Sequence, residues 1–304
     1  MRQLVVTADD FGLATEVNDA VEIAHTEGIL TAASLMVGSA AAADAVSRAK
    51  RLPKLRVGLH LTLVEDRPVL PAAEIPDLVR IDGRLRNDLA AYGLAIMVRP
   101  SVRRQLRAEI RAQFEAHRST GLALDHVNAH RHYHLHPAVL SEILAIGRDY
   151  GMRALRAPVE PTSLLRSVER ASRSPASIVA APFAAVTSRR IRNAGLITTD
   201  RVFGLAWSGA MTEERIAGLL ANLPPGRTEI YTHPATSAGH EGATRGYRYA
   251  EELSALVSKR CREALQESGA AVGGYGDLTD AGARRAGEHA SETALLDPTV
   301  PGKA

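Results

Sequence analysis

Residues 4–28, LVVTADDFGLATEVNDAVEIAHTEG, decide the fold, because they join a strand pattern directly to a helix pattern. The apolar run Leu4–Ala8 predicts a buried β-strand. After a pair of aspartates, apolar residues recur every three or four positions and predict a helix over Val17–Glu27 that ends at a glycine. A strand followed by an amphipathic helix is the repeating unit of parallel-sheet folds.

The same alternation continues through most of the chain. Further strands are predicted at Leu30–Val37, Leu55–Leu63, Leu122–His130, Met152–Ala157, Thr228–Thr232 and Ala270–Gly273. Helices are predicted at Ala40–Leu52, after Pro100, from Pro137 to Gly151, at Thr212–Leu223 and at Tyr249–Ser268. About seven β/α units in a row predict an α/β fold whose parallel sheet closes into a deformed (β/α) barrel, and an open doubly wound sheet is the alternative.

Two segments interrupt this alternation of strands and helices, and a third follows it. Residues 68–100 mix proline, glycine and charge and predict a long loop with short helices. Residues 162–195 carry six arginines against one acid, and they predict either a basic surface for an anionic bilayer or a solvated helical excursion on the barrel. Residues 281–304 are polar and rich in alanine, glycine and proline, so a disordered tail is expected after a single domain over residues 1–280.

The composition narrows the functional class. A net charge of +3 over 304 residues gives no reason to expect nucleic-acid binding, and 4% aromatic residues leave few stacking platforms. Cys261 is the single cysteine, which excludes a disulfide framework and a thiolate metal site. The first residues run into strand sequence without a signal-peptide pattern, and no apolar run reaches about 18 residues. We therefore expect a cytoplasmic protein, with peripheral contact to the inner membrane and the oligomeric state left open.

Five of the eleven histidines lie in residues 126–137, HVNAHRHYHLHP. Polar residues recur there at every second position, so an extended chain would present them on one face. Imidazole is both a neutral nitrogen ligand and a near-neutral acid or base, which suits a metal site or proton transfer. A solvated histidine-rich loop is the alternative, and the choice depends on whether the chain supplies matching acidic ligands.

The chain supplies matching acidic ligands at the ends of its predicted strands. Asp9 and Asp10 follow the first strand, and His60, His130 and His233 lie at the ends of others. In parallel α/β folds the carboxyl ends of the strands meet at one rim, where active residues lie. One carboxylate with two histidines leaves coordination positions open, which is typical of a catalytic metal site. A second, adjacent carboxylate can stay free as a base.

Four motifs in this order resemble the YdjC-like carbohydrate deacetylase family: Thr7-Ala-Asp-Asp-Phe-Gly-Leu13, Gly58-Leu-His-Leu-Thr-Leu63, residues 126–137, and Thr228-Glu-Ile-Tyr-Thr-His-Pro234. The resemblance covers about residues 1–280 and implies metal-dependent removal of acetyl groups from N-acetylated amino sugars, on a deformed barrel related to polysaccharide deacetylases. Residues 18–21, 28–36 and 51–53 are most similar to the hopanoid-biosynthesis-associated branch. That likeness implies an N-acetylglucosamine unit on a hopanoid lipid as substrate.

The resemblance also implies roles for single residues. Asp10, His60 and His130 match the metal ligands, and Asp9 matches the catalytic base. An Asp/His/His set with open positions favours one zinc ion, and magnesium, manganese or nickel would be tolerated. The chain departs from many relatives at Asn128, where they have an aspartate. An asparagine can orient a neighbouring histidine only as a neutral group.

The chemistry of amide hydrolysis predicts roles for further residues. Asp9 is expected to take a proton from the attacking water, and His233 to protonate the leaving amine. His132 and His134 are predicted to bind sugar hydroxyls or the oxyanion, with structural roles as the alternative. Arg153, or else Arg156, is expected to reach the substrate from the strand after the histidines. Two other functions stay open: deacetylation of soluble chitooligosaccharides, and a non-catalytic binding protein with a metal, for which Asp9 would be dispensable.

Overall fold

The computed structural model describes residues 1–169 and 175–278. Within them, the strands are β1 (Arg2–Phe11), β2 (Ala32–Leu35), β3 (Arg56–Leu61), β4 (Val127–Ala129), β5 (Arg201–Phe203), β6 (Gly226–Thr232) and β7 (Ala271–Val272). The helices are α1 (Thr15–Glu27), α2 (Ala42–Arg51), α3 (Leu89–Val98), α4 (Pro100–Ser119), α5 (Pro137–Asp149), α6 (Thr162–Val168), α7 (Pro175–Asn193), α8 (Glu213–Ala221), α9 (Tyr249–Leu256) and α10 (Lys259–Ser268). Short 3₁₀ turns cover His130–Leu135 and Tyr275–Asp277. The tail predicted for residues 281–304 lies outside the described residues.

The strands form one parallel sheet. Their order is β4-β3-β2-β1-β6-β5, and β7 pairs with β1. Beyond β4, single parallel bridges join Val127 to Leu155 and Ala154 to Ile197, toward the segment that leads into β5. The sheet is therefore curled into a half-barrel, and single bridges cross its open side. This arrangement confirms the predicted α/β fold with a deformed parallel barrel.

Three elements of the structure differ from the prediction. The strand expected over Met152–Ala157 makes only single bridges, and β5 was not predicted because three residues are too few to show alternation. The helix expected over Tyr249–Ser268 is divided into α9 and α10. The division lies at Ser258, whose hydroxyl accepts a hydrogen bond from the Cys261 N–H at 3.1 Å and so begins α10.

The two faces of the sheet differ in polarity. On β1, Leu4, Val6 and Ala8 pack against the helices, whereas the alternate residues Thr7 and Asp9 point into the half-barrel. The inner faces of the other strands add the buried polar side chains Ser34, His60, Asn128 and Glu229. The main apolar core therefore lies between sheet and helices. The interior of the half-barrel holds a hydrogen-bonded polar layer next to a small apolar cluster that includes Val5, Ala32 and Ala154.

The arginine-rich segment, residues 162–195, forms α6 and α7, and its residues 170–174 lie outside the described range. Helix α6 packs against α8, and α7 lies against α5 and the 3₁₀ turn His130–Leu135. Arg190 of α7 donates a hydrogen bond to the Ser141 hydroxyl at 2.9 Å. Among the helices that the structure describes, none has the length and hydropathy needed to span a membrane.

A buried histidine makes the fold sensitive to acid. Burial, together with the neighbouring His126, lowers the pKa of His117 in α4 to about 4. Because the unfolded chain binds this proton more tightly, with a pKa of about 6.5, the contribution of His117 to stability is complete above that pH and is lost as the pH falls toward 4. Between about pH 7.5 and about pH 5, the free energy of unfolding of wild type should fall by about 2 kcal/mol more than that of His117→Leu, which lacks this titrating group.

Urea unfolding of both proteins at the two pH values measures this difference. Equal losses of the free energy of unfolding in wild type and variant would show that His117 is already protonated in the folded state, or that its ring reaches solvent.

Candidate metal centre and active site

The aspartate pair lies within β1, at an irregularity of the strand. The register between β1 and β2 shifts between Ala8 and Phe11, and Asp10 has a φ of 63° in the left-handed region. In a regular strand, adjacent side chains point to opposite faces. The shift lets Asp9 and Asp10 line the same pocket, at the cost of a strained backbone conformation that is common at functional sites.

Asp10, His60 and His130 form a group that can hold a metal ion. The Asp10 Oδ1 atom lies 3.2 Å from His60 Nε2 and 3.1 Å from His130 Nδ1, and one ligand atom from each residue lies within 4.8 Å of the others. One carboxylate oxygen and two imidazole nitrogens are a suitable donor set for a divalent transition ion.

The electrostatics of this group favour a cation. Burial of the His130 ring favours its neutral form, but the carboxylates of Asp10 and Glu65 raise the pKa of His130 to about 10. Although burial also opposes ionisation of Asp10, His130 and His60 hold the pKa of this carboxyl well below its usual range. The site therefore attracts positive charge, and the residues present fit a divalent ion.

Asn128 connects the metal ligands to Asp9. Its Oδ1 atom lies 2.7 Å from His60 Nδ1, and its Nδ2 donates hydrogen bonds to Asp9 Oδ1 and to the Ser34 hydroxyl, both at 2.9 Å. The neutral amide thus accepts from a ligand histidine, as an aspartate would, and it donates to Asp9, which an ionised aspartate cannot do. Asparagine at this position avoids placing a second carboxylate against Asp9.

Asp9 is held by the buried Arg156. The guanidinium donates to Asp9 Oδ2 at 2.5 Å and to Asp9 Oδ1 at 3.0 Å, and it donates to both carboxylate oxygens of Glu229 at 2.7 and 3.0 Å. Burial of Asp9 favours the neutral acid, but the charge of Arg156 outweighs it and holds the pKa of Asp9 far below its usual range. Asp9 is therefore ionised throughout the neutral pH range.

A pocket of about 270 Å³ opens above these residues. Its lining includes the aspartate pair, the two ligand histidines and four further side chains: His132, Tyr231, His233 and Tyr247. His132 Nε2 lies 3.0 Å from the Tyr231 hydroxyl, and the His233 ring lies 5.1 Å from that of Tyr247. Burial, with His134 and Arg156 as further causes, holds the pKa of His132 well below its usual range, so its ring is neutral.

Two of the predicted substrate residues do not lie in this pocket. His134 is fully buried and does not line it. The prediction assumed an extended chain, but β4 ends at Ala129, and Arg131 and His132 adopt left-handed conformations within a 3₁₀ turn. The alternation of side chains therefore stops after His130.

Arg153 is the second predicted substrate residue that lies outside this pocket. It is exposed and lines a separate pocket together with Asp125 and Asp277. Along an extended segment, residues 154 and 156 point into the half-barrel, so residue 153 points away from it. Arg156 also lies three residues nearer the carboxyl end of the segment, and it reaches Asp9.

The sequence interpretation missed Glu65. This residue follows β3, has a φ of 71° and accepts a hydrogen bond from the Arg131 side chain at 2.8 Å; it also lies 3.4 Å from His130 Nε2. Its position in a loop left no periodic signal. Of the residues that the structure describes, four non-glycine residues have a positive φ, and all four border this site: Asp10, Glu65, Arg131 and His132.

Known proteins support the same fold and family. Residues 3–267 match the model of the YdjC-like protein family. A carbohydrate deacetylase of Brevibacillus brevis is 37% identical over 49% of this chain and 56% of that protein, so the chain spans little more than half of this relative's length. A carbohydrate deacetylase of Mus musculus is 30% identical over 91% of this chain and 94% of that protein.

One solved structure is closely similar. It is a candidate cellobiose-phosphate cleavage protein of Enterococcus faecalis V583, 25% identical, with a TM-score of 0.71 over 92% of this chain and 99% of that chain. Together with the family match over most of the sequence, this likeness leads to one conclusion: the chain belongs to the YdjC-like protein family.

Proposed function

We propose that the protein is a metal-dependent carbohydrate deacetylase that hydrolyses the N-acetyl group of an N-acetylglucosamine unit. The observation that carries this proposal is the convergence of Asp10, His60 and His130 with Asp9 and His233 on one pocket. A metal group with open positions beside a carboxylate and a histidine is a suitable arrangement for amide hydrolysis. The names of the relatives from Brevibacillus brevis and Mus musculus agree with it.

The ligand set favours zinc as the resident ion, with magnesium or another divalent ion as the alternative. When bound, such an ion would polarise the amide carbonyl and lower the pKa of an attacking water. Asp9 stays ionised because of Arg156 and accepts the proton of that water. His233 protonates the nitrogen of the leaving amine, and its backbone N–H is fixed by the Glu252 carboxylate.

We further propose a lipid-linked amino sugar, of the hopanoid type, as the favoured substrate. Helix α3 presents the exposed apolar side chains Leu94, Met97 and Val98. The buried face of the same helix contacts the turn that carries His132, where Tyr92 stacks on Tyr133 with 5.5 Å between the ring centroids. An exposed apolar face on a helix that packs against this turn suits the tail of a lipid or a membrane surface.

The test measures acetate release from an N-acetylglucosaminyl lipid and from diacetylchitobiose, with metal analysis of the same preparation. Release from the lipid substrate supports the full proposal, whereas release from diacetylchitobiose alone supports a deacetylase of soluble sugars. Release from neither substrate by the metal-loaded protein would leave a non-catalytic binding protein.

Asp9→Asn tests the assigned base. We expect this variant to retain its metal, since Asp9 is outside the ligand group, and to release acetate at least about 10²-fold more slowly. Wild-type turnover in Asp9→Asn would show that another group takes the proton.

A further inference from the structure

A continuous chain of side-chain hydrogen bonds runs through the interior of the half-barrel to His60. Asp125 Oδ2 lies 2.9 Å from His126 Nδ1, and His126 Nε2 lies 3.0 Å from the Ser34 hydroxyl. Asn128 Nδ2 lies 2.9 Å from that hydroxyl, and Asn128 Oδ1 lies 2.7 Å from His60 Nδ1. The chain begins outside the pocket, since Asp125 lines a different cavity.

The Asp125 end fixes the direction of the first two bonds. The backbone N–H groups of Tyr275 and Gly276 both donate to this carboxylate at 2.9 Å. Burial of Asp125 favours the neutral acid, but these donors and His126 lower its pKa. An ionised carboxylate only accepts, so His126 Nδ1 carries the hydrogen. The Ser34 oxygen accepts from Asn128 Nδ2, and its own hydrogen is directed to His126 Nε2.

Asn128 Nδ2 donates to two acceptors, the Ser34 hydroxyl and Asp9 Oδ1, and Asp9 Oδ1 also accepts from Arg156. With its Nδ2 held by both acceptors, Asn128 presents its Oδ1 to His60. An amide oxygen only accepts, which requires the hydrogen of His60 to be on Nδ1. Nε2 is then the His60 atom that faces Asp10, at 3.2 Å, within the group that can hold an ion.

Gly58 provides the room for this chain. A Cβ atom on Gly58 would lie 2.5 Å from His126 Cε1, so any other residue would displace the ring. The inner face of β3 thus carries a glycine beneath His126 and, two residues later, the ligand His60.

We propose that Asp125, His126 and Ser34, acting through Asn128, are positioning residues that hold His60 as its Nδ1–H tautomer and leave Nε2 available to the ion. This proposal rests on the metal site of the proposed function. The tautomer of a ligand histidine is set by the hydrogen bond at its other nitrogen, and loss of such support weakens metal binding by about 10- to 100-fold.

The test uses the full-length protein and Ser34→Ala, with Ser39→Ala as a matched control. Ser39 is also buried, and its hydroxyl donates to Asp66, which is not part of this hydrogen-bond chain. In the metal-free proteins, ¹H–¹⁵N correlation spectra of the imidazoles should show a single Nδ1–H tautomer of His60 in wild type and in Ser39→Ala, and a mixture in Ser34→Ala. The Zn²⁺ dissociation constant, from chelator competition, should rise about 10-fold or more in Ser34→Ala alone.

Two further variants guard against a simple folding defect. Ser34→Thr keeps the hydroxyl and should restore the tautomer and the Zn²⁺ affinity. Asp125 lies at the far end of the hydrogen-bond chain, and Asp125→Asn should weaken Zn²⁺ binding as Ser34→Ala does. Unchanged His60 tautomer and unchanged Zn²⁺ affinity in Ser34→Ala and Asp125→Asn would overturn the proposal.

These measurements need no substrate. A protein with the expected tautomer and Zn²⁺ affinity that releases no acetate would contradict the proposed function and leave the positioning chain intact.

Discussion

Asp10→Asn is expected to lose the divalent ion during purification and to release acetate on the order of 10³-fold more slowly than wild type. The carboxylate lies within hydrogen-bond distance of both ligand histidines and supplies the only negative charge of the ligand group. An ion at a carbonyl contributes several kcal/mol of transition-state stabilisation, and each 1.36 kcal/mol corresponds to about a tenfold change in rate. Metal analysis and an acetate assay at saturating Zn²⁺ measure the two effects separately.

The matched control is Asp149→Asn, which removes a carboxylate that is exposed and paired with Arg111. Its metal content and rate should equal those of wild type. Full metal occupancy in Asp10→Asn would place the ion on other ligands.

Arg156→Met is expected to lower the free energy of unfolding by about 3 to 5 kcal/mol. Arg156 is fully buried and is the cation for two buried carboxylates, Asp9 and Glu229. Methionine fills much of the same volume, so the loss comes mainly from two negative charges left inside the half-barrel without a partner. Urea unfolding at neutral pH measures the effect.

Two variants isolate this electrostatic cause. Arg111→Met removes an exposed pair and should leave the free energy of unfolding close to that of wild type. Adding Glu229→Gln to Arg156→Met removes one of the stranded charges and should recover part of the lost stability. A loss below about 1 kcal/mol in Arg156→Met would mean that the carboxylates become protonated or hydrated at little cost.

Strand ends were the part of the fold that could be predicted. The sheet is parallel, so residues at the carboxyl ends of β1, β3 and β4 had to meet at one rim, and Asp10, His60 and His130 do meet there. The position of Asn128 beside His60 follows from the same register, because the two residues are partners in the β3–β4 pair.

The residues beyond the strand ends could not be predicted in the same way. His134 lies outside the pocket because the backbone adopts a left-handed conformation at Arg131. The spacing of the histidines does not indicate a turn of this kind. The inward position of Arg156 could have been predicted from the alternation of side chains, but the segment makes only single bridges and its orientation was not evident. Glu65 lies in a loop whose course depends on tertiary contacts.

The polar interior of the half-barrel has a consequence for protein engineering. In a typical (β/α)₈ barrel, branched apolar side chains fill this space and can be repacked for stability. Here much of the same space is occupied by groups that hold Asp9 and His60, such as Arg156 and Asn128. Substitutions that raise the melting temperature are therefore better placed on the outer helices, where they do not lower the rate of turnover.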